Sequence, residues 1–97
     1  MARVVYSAEA LDDLDRIIEF LLARSPDAAG AALDQIQAAI AILAVHPQIG
    51  RRTDQVRREL VITYGATGYL ALYRYDARPD IARVLRIRHQ REAGYSG

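Results

Sequence analysis

The chain has no cysteine and no lysine. The first absence excludes disulfides, thiolate metal sites and cysteine nucleophiles. The second leaves arginine as the sole source of fixed positive side-chain charge, and all thirteen basic residues are arginines. A GC-rich genome would explain much of that bias, so an arginine is not by itself read as a functional signal. No segment approaches the ~18 apolar residues of a membrane span, and the N-terminus lacks the charged-then-apolar pattern of a signal peptide. There is no glycine-rich phosphate loop, no histidine pair at i, i+4 and no CxxC. Internal repeats and low-complexity segments are also missing. These absences lead to an expected soluble, cytoplasmic protein with no metal and no cofactor.

Ninety-seven residues are expected to form one domain, residues 1–97. A chain of this size buries roughly 60–70% of its unfolded surface, enough for a modest core without a metal or disulfide. The net charge is only +1, but it is unevenly spread. Residues 1–48 hold seven acids and three arginines, net −4, and residues 49–97 hold five acids and ten arginines, net +5. The basic half suits nucleic acid or an acidic protein segment.

Arg3–Tyr6 reads as a short strand. Ser7 follows as an N-cap, with Glu9 in the first turn where the helix dipole favours negative charge. From Ala8 to about Arg24 the spacing predicts a helix. Its apolar face is Leu11, Leu14, Ile18 and Leu21, flanked by Ile17 and Leu22, with Asp12, Asp13, Asp15, Arg16 and Glu19 assigned to a solvated face. Ser25-Pro26 ends one helix and caps the next. The second helix runs to about Val45 with a stripe of Ala29, Ala32, Leu33, Ile36, Ile40 and Leu43, and His46-Pro47 stops it. After Gly50 the period becomes two. Val56–Tyr64, Tyr69–Asp76 and Ile81–His89 read as antiparallel strands joined by turns at Gly65–Gly68 and Ala77–Asp80. The expected fold class is α+β, an N-terminal strand and an antiparallel helical hairpin packed on a small antiparallel β-sheet.

The last strand and its tail concentrate the chemistry. Arg83, Arg86, Arg88, His89, Arg91 and Tyr95 fall within thirteen residues. Guanidinium groups bind phosphate or carboxylate, and a histidine or tyrosine beside them transfers protons or stacks on a base. Alternation puts Arg86 and Arg88 on one face, opposite Leu85 and Ile87, and His89 belongs with Leu85 and Ile87 if the strand continues that far. Simple solvation or structural salt bridging is the competing account of the arginines. Tyr95 is expected to be mobile unless it docks. Tyr69, Tyr73 and Tyr75 share one face of the central strand and are expected to pack, the alternative being a stacking platform. His46 is expected to cap its helix, and Arg51-Arg52 to lie in a loop.

Several segments together resemble the ParE/RelE superfamily, the small toxins of bacterial type II toxin–antitoxin modules. They are Val5-Tyr6-Ser7-Ala8-Glu9-Ala10-Leu11-Asp12-Asp13-Leu14, His46-Pro47-Gln48-Ile49-Gly50-Arg51, Arg58-Glu59-Leu60, Gly68-Tyr69-Leu70-Ala71-Leu72-Tyr73-Arg74-Tyr75 and Val84-Leu85-Arg86-Ile87-Arg88-His89-Gln90-Arg91. Their order spans nearly the whole chain, and the family's fold agrees with the strand–hairpin–meander order read from periodicity.

The resemblance implies one of two mechanisms. RelE-like members cut mRNA in the ribosomal A site, which requires a base near the 2′-hydroxyl, an acid at the leaving oxygen and cations on the developing phosphorane charge. ParE-like members inhibit DNA gyrase. Where several nucleases place an arginine at the start of the central strand, Leu70 stands here, after Tyr69. His89 matches a C-terminal histidine of some nucleases, while Tyr95 is too far along to equate with a catalytic tyrosine. The gyrase branch is therefore the expectation, in a plasmid-stabilisation type of module. Its alternative is a nuclease using Arg58, Arg86, Arg88 and His89. The resemblance also implies a cognate antitoxin as partner, with Arg58, Arg74, Arg83, Arg86, Arg88, Arg91 and Tyr95 as candidate antitoxin- or target-binding residues. No sequence-specific DNA binding by this chain is expected. A degenerate interaction module without a target of its own is the third reading.

Overall fold

The computed structural model describes residues 1–64, 67–92, 94 and 95. Its elements are β1 (Arg3–Tyr6), α1 (Ala8–Leu22), α2 (Pro26–Ala41), a 3-10 turn at Ile42–Ala44, β2 (Arg51–Arg52), β3 (Arg57–Tyr64), β4 (Thr67–Asp76) and β5 (Ile81–His89). The five strands form one sheet in the order β1-β5-β4-β3-β2. The expected turn between β3 and β4 includes Gly65 and Ala66, which lie outside the described residues. No described helix is long and apolar enough to cross a membrane.

Local chemistry explains the hairpin. The Ser7 hydroxyl accepts from the Ala10 N–H and so caps α1. Ser25 caps α2 in the same way, through the Ala28 N–H, and Pro26 occupies a first-turn position where no intrahelical donor is needed. The stripe of α2 is as expected, with Ala29, Ala32, Ile36 and Ile40 buried and Leu43 buried in the 3-10 turn. The buried face of α1 differs from the expected one. Ala10, Asp13, Leu14 and Ile17 are inside, whereas Leu11 is half exposed. The reason is Asp13: its carboxylate has partners on β5, so the helix turns that side inward and leaves Leu11 outside. Asp13 is thus not part of a solvated face.

The sheet is mixed rather than wholly antiparallel. β3, β4 and β5 form the antiparallel meander, while β1 adds parallel to β5 with Arg3 opposite Ile81 and Tyr6 opposite Val84. Arg51-Arg52 is a short edge strand on β3 rather than a loop, with Arg51 opposite Glu59. α1 packs against β5 and α2 against β3, so both helices cover one face of the sheet. Between them lie Ile62, Tyr69, Ala71, Tyr73, Ala82, Val84 and Ile87. Each large apolar side chain buried there contributes about 1.5–3 kcal/mol.

The tyrosines of β4 are packing residues, not a stacking platform: Tyr73 is fully buried and Tyr69 nearly so. The Tyr73 hydroxyl accepts the Gly50 N–H at 2.9 Å. A Cβ on Gly50 would lie 2.6 Å from the Tyr73 Cε1 atom, so a side chain there is sterically excluded.

β5 carries a bulge. Leu72 pairs with Arg86, but the next residue, Tyr73, pairs with Val84, leaving Leu85 as the extra residue. The bulge resets the alternation, so that Val84 and Ile87, three apart, both reach the core. Its carbonyl is tied down by the Ser7 hydroxyl, which donates to the Leu85 oxygen at 2.9 Å. The serine that caps α1 therefore also anchors the bulge.

Candidate functional site

Residues directly opposite on neighbouring strands share a face. Arg57, Arg74 and Arg83 are in register across β3, β4 and β5. Glu59, Leu72 and Arg86 form a second row, and Val61, Leu70 and Arg88 a third. All three rows lie on the face opposite the buried Ile62, Tyr73 and Val84, which is the face the helices leave uncovered. Strict alternation along β5 would have separated Arg83 from Arg86; the bulge brings them together. Five arginines from three strands thus gather on one surface, joined at its edge by Arg51.

Most of these guanidiniums have internal partners. Arg57 bonds Asp54, and Arg74 and Arg83 approach Asp76 at 2.8 and 3.8 Å. Asp54 is pulled to a pKa of about 2, first by the Val56 and Arg57 backbone N–H groups and then by the Arg57 side chain. Arg86 is a fold residue: its Nε and Nη2 grip the two oxygens of Asp13 at 2.9 and 3.2 Å. The same carboxylate accepts the Ile87 N–H at 2.8 Å and bonds Arg16 at 3.1 Å. β1 has ended at this point on the edge of β5, so the Asp13 side chain supplies the acceptor that a further strand residue would otherwise provide. Burial pushes the Asp13 carboxyl up, but its bonds to Arg86, Ile87 and Arg16 outweigh that and hold it below its ordinary value.

A second carboxylate sits beneath the tail. Glu59 is buried, with Arg51 Nη2 at 2.8 Å from one oxygen and the Tyr95 hydroxyl donating at 2.7 Å to the other. Burial pushes Glu59 up, but the bonds from Arg51 and Tyr95, with the charges of Arg51 and Arg88, bring it below its usual value. Burial and the Glu59 hydrogen bond raise the Tyr95 phenol. The ring of Tyr95 lies 5.2 Å from the Arg88 guanidinium carbon and 5.9 Å from that of Arg86. Tyr95 therefore docks. Glu59 is the residue of this cluster that sequence reasoning passed over; its position between Arg58 and Leu60 gave no sign that it would be buried on the helix-free face.

His89 belongs to the other face. It pairs with Tyr69, whose ring meets the imidazole edge-on at 5.3 Å. The Arg91 N–H donates to Nδ1 at 3.1 Å, which leaves Nε2 to donate to the Thr67 hydroxyl at 2.6 Å in the neutral ring. Arg58 is also on the helix side but far along the sheet, opposite Tyr73, where its Nη1 braces the Gln48 and Gly50 carbonyls. Tyr69 and Tyr73 are four residues apart on β4, so Arg58 and His89 are separated by about 13 Å of strand. The four residues of the nuclease alternative therefore do not converge. Arg86 and Arg88 occupy one face, while His89 and Arg58 stand at opposite ends of the other. His46, at the end of the 3-10 turn, is exposed.

His89 lines a separate feature, an open groove of about 670 Å³ between α1 and the ends of β3, β4 and β5. Its walls are mainly apolar, with Ile17, Phe20, Leu21, Tyr64 and Tyr69, and Arg16, Arg24 and Arg91 also border it. Phe20 is 58% exposed, with the Arg24 guanidinium 4.3 Å above its ring.

Comparison with known proteins gives a consistent family. The profile described as "ParE toxin of type II toxin-antitoxin system, parDE" matches residues 4–94. The Toxin RelE3 of Caulobacter vibrioides is 40% identical over 92 residues, covering 95% of this chain and 98% of the relative. The Toxin RelE2 of the same organism is 34% identical over 89 residues, covering 92% and 96%. A solved structure titled "Chromosomal ParDE TA system from P. aeruginosa" superposes with a TM-score of 0.70 at 23% identity, over 92% of this chain and 96% of that one, and shares the fold. The chain belongs to the ParE toxin family, within the ParE/RelE superfamily of type II toxin–antitoxin toxins.

Proposed function

We propose that this protein is a cytoplasmic toxin that inhibits DNA gyrase and is neutralised by a cognate antitoxin. The observation that carries the gyrase reading is the division of the candidate nuclease residues between two faces of the sheet. RNA cleavage needs a proton-transfer group and cationic phosphate ligands around one phosphodiester. Here the His89 ring is engaged on the helix side, whereas Arg86 and Arg88 are held on the other. A protein that works by docking has no need for such convergence.

The groove supports the antitoxin part. An amphipathic segment laid there would cover Phe20 and Leu21, and its acids would meet Arg16, Arg24 and Arg91. The predominantly acidic N-terminal half of the chain is thus locally basic at the point where apolar surface is exposed.

A second reading has its own support. Glu59, Arg86, Arg88 and Tyr95 do share the helix-free face, and a carboxylate, a phenol and two guanidiniums are the parts of a ribonuclease. The relatives also carry RelE names. The deciding experiment assays the purified toxin for inhibition of gyrase supercoiling and for mRNA cleavage on translating ribosomes. Inhibited supercoiling with intact mRNA is expected. Ribosome-dependent cuts that vanish in Glu59→Gln would establish the second reading. Normal growth of cells expressing verified soluble protein would instead favour a degenerate module.

A further inference from the structure

β2 and β3 set two arginines directly opposite one another. Arg52 pairs with Arg58, so both side chains leave the same face of the sheet, with Cβ atoms about 5 Å apart. Like charges in such positions repel and weaken a sheet. Elsewhere the fold offsets that repulsion. Arg57, Arg74 and Arg83 also stand in a row, but Asp54 holds Arg57 at 2.7 Å and Asp76 holds Arg74 at 2.8 Å. The Arg52–Arg58 pair has no such carboxylate among the described residues. Arg58 is braced by neutral carbonyls, its Nη1 donating to Gly50 at 2.9 Å and to Gln48 at 3.1 Å. These bonds fix the guanidinium without cancelling its charge. Arg52 is exposed, and its guanidinium has no partner among the described residues.

Both arginines line a pocket of about 160 Å³ where β3 starts and β4 ends. That is room for several waters, at about 30 Å³ each in the liquid, or for one tetrahedral oxyanion and its hydration. Arg57, Arg74, Asp54 and Asp76 line it too, but these four match one another in pairs. The uncompensated charge is that of Arg52 and Arg58. A carboxylate would offer two oxygens in one plane. Guanidiniums reaching from two strands suit an anion whose oxygens point in several directions, and the arginine fork fits phosphate in bidentate fashion.

We propose that Arg52 and Arg58 form a binding site for a phosphate group, which bridges the two guanidiniums and offsets their repulsion. Arg58 is the fixed donor, and Arg52 is the exposed one that completes the clamp. Free inorganic phosphate and a polynucleotide backbone share this chemistry. The site is separate from Glu59, Arg86, Arg88 and Tyr95, and it does not depend on which cellular target the toxin acts upon.

The test uses the full-length protein and Arg52→Gln, each titrated with inorganic phosphate and with chloride at equal ionic strength. The Arg58 Nε–H resonance is expected to shift with phosphate and not with chloride. Arg52→Gln removes one charge-assisted partner, so half-saturation at Arg58 is expected at an about tenfold higher phosphate concentration. Thermal melts give a second readout. In chloride, Arg52→Gln should melt no lower than the unaltered protein, because a like-charge pair is gone. In phosphate the unaltered protein should gain the more. A parallel titration with oligothymidylate distinguishes the sources. Half-saturation at a lower phosphate-group concentration than for inorganic phosphate identifies a polynucleotide backbone, and half-saturation at an equal or higher one identifies free phosphate. An Arg58 resonance that answers both salts alike, phosphate that binds and stabilises both proteins equally, or an Arg52→Gln variant that melts lower in chloride would each overturn the proposal.

Discussion

Asp13 and Arg86, seventy-three residues apart in sequence, are joined by two hydrogen bonds that close the edge of β5 where β1 ends. The pair ties the first helix to the last strand. It uses one oxygen of Asp13 twice, for the Arg86 Nε and for the Ile87 N–H. The most arginine-rich part of the sequence is therefore partly committed to holding the fold.

Removing that carboxylate should destabilise the protein. Asp13→Ala leaves the Ile87 N–H without its acceptor and removes two hydrogen bonds from the largely buried Arg86 guanidinium, a loss of about 3 kcal/mol. Asp13→Asn keeps an acceptor and should cost less. Urea unfolding of both variants checks this. A midpoint unchanged in Asp13→Ala would mean that water replaces the carboxylate without penalty.

Acid should weaken the fold through the same groups. Asp13 and Glu59 are held below their ordinary values of 3.8 and 4.5 in the folded protein. A carboxyl whose folded pKa is depressed stabilises fully above its unfolded value and loses that contribution as pH falls through the folded one. The melting temperature is expected to be level in these terms above about pH 5 and to fall toward about pH 2. Asp13→Asn should flatten the decline, and the check is a melting series from neutral to acid for both proteins.

The contact between Gly50 and Tyr73 predicts a different pattern. Tyr73→Phe deletes the acceptor of the Gly50 N–H and should cost about 1–2 kcal/mol. Gly50→Ala forces a methyl into the tyrosine ring and should cost about 1–3 kcal/mol. Since both act on one contact, the double variant should be less destabilised than the sum. Additive unfolding energies would mean that the two residues act independently.

Phe20 offers a change at the groove that spares the core. Phe20→Ala should lower affinity for the cognate antitoxin by about tenfold or more, as loss of a central aromatic anchor does. Stability should stay within about 1 kcal/mol, because the ring is largely exposed. Titration calorimetry with the purified antitoxin, beside thermal melts, measures both. An unaltered dissociation constant would place the antitoxin elsewhere.

Local patterns alone determined much of this molecule. Ser7 and Ser25 as caps, the Ala29–Leu43 stripe, the stop at His46-Pro47 and the period-two runs of the meander all act through neighbours a few residues away, so they were legible in the sequence. So was the family, whose motifs extend along the chain. The tertiary structure decided what depends on partners far apart: the inward turn of Asp13, the parallel addition of β1 to β5, the pairing of Arg51-Arg52 with β3, and the burial of Glu59 beneath Tyr95. Above all it decided the faces. A single extra residue at Leu85 reverses the alternation along β5, and no periodicity read from one strand reveals a bulge that the pairing strand imposes. That one residue sets Arg83 beside Arg86 and Arg88, whereas His89 stands on the opposite side, with Ile87, by the ordinary alternation that the sequence already showed.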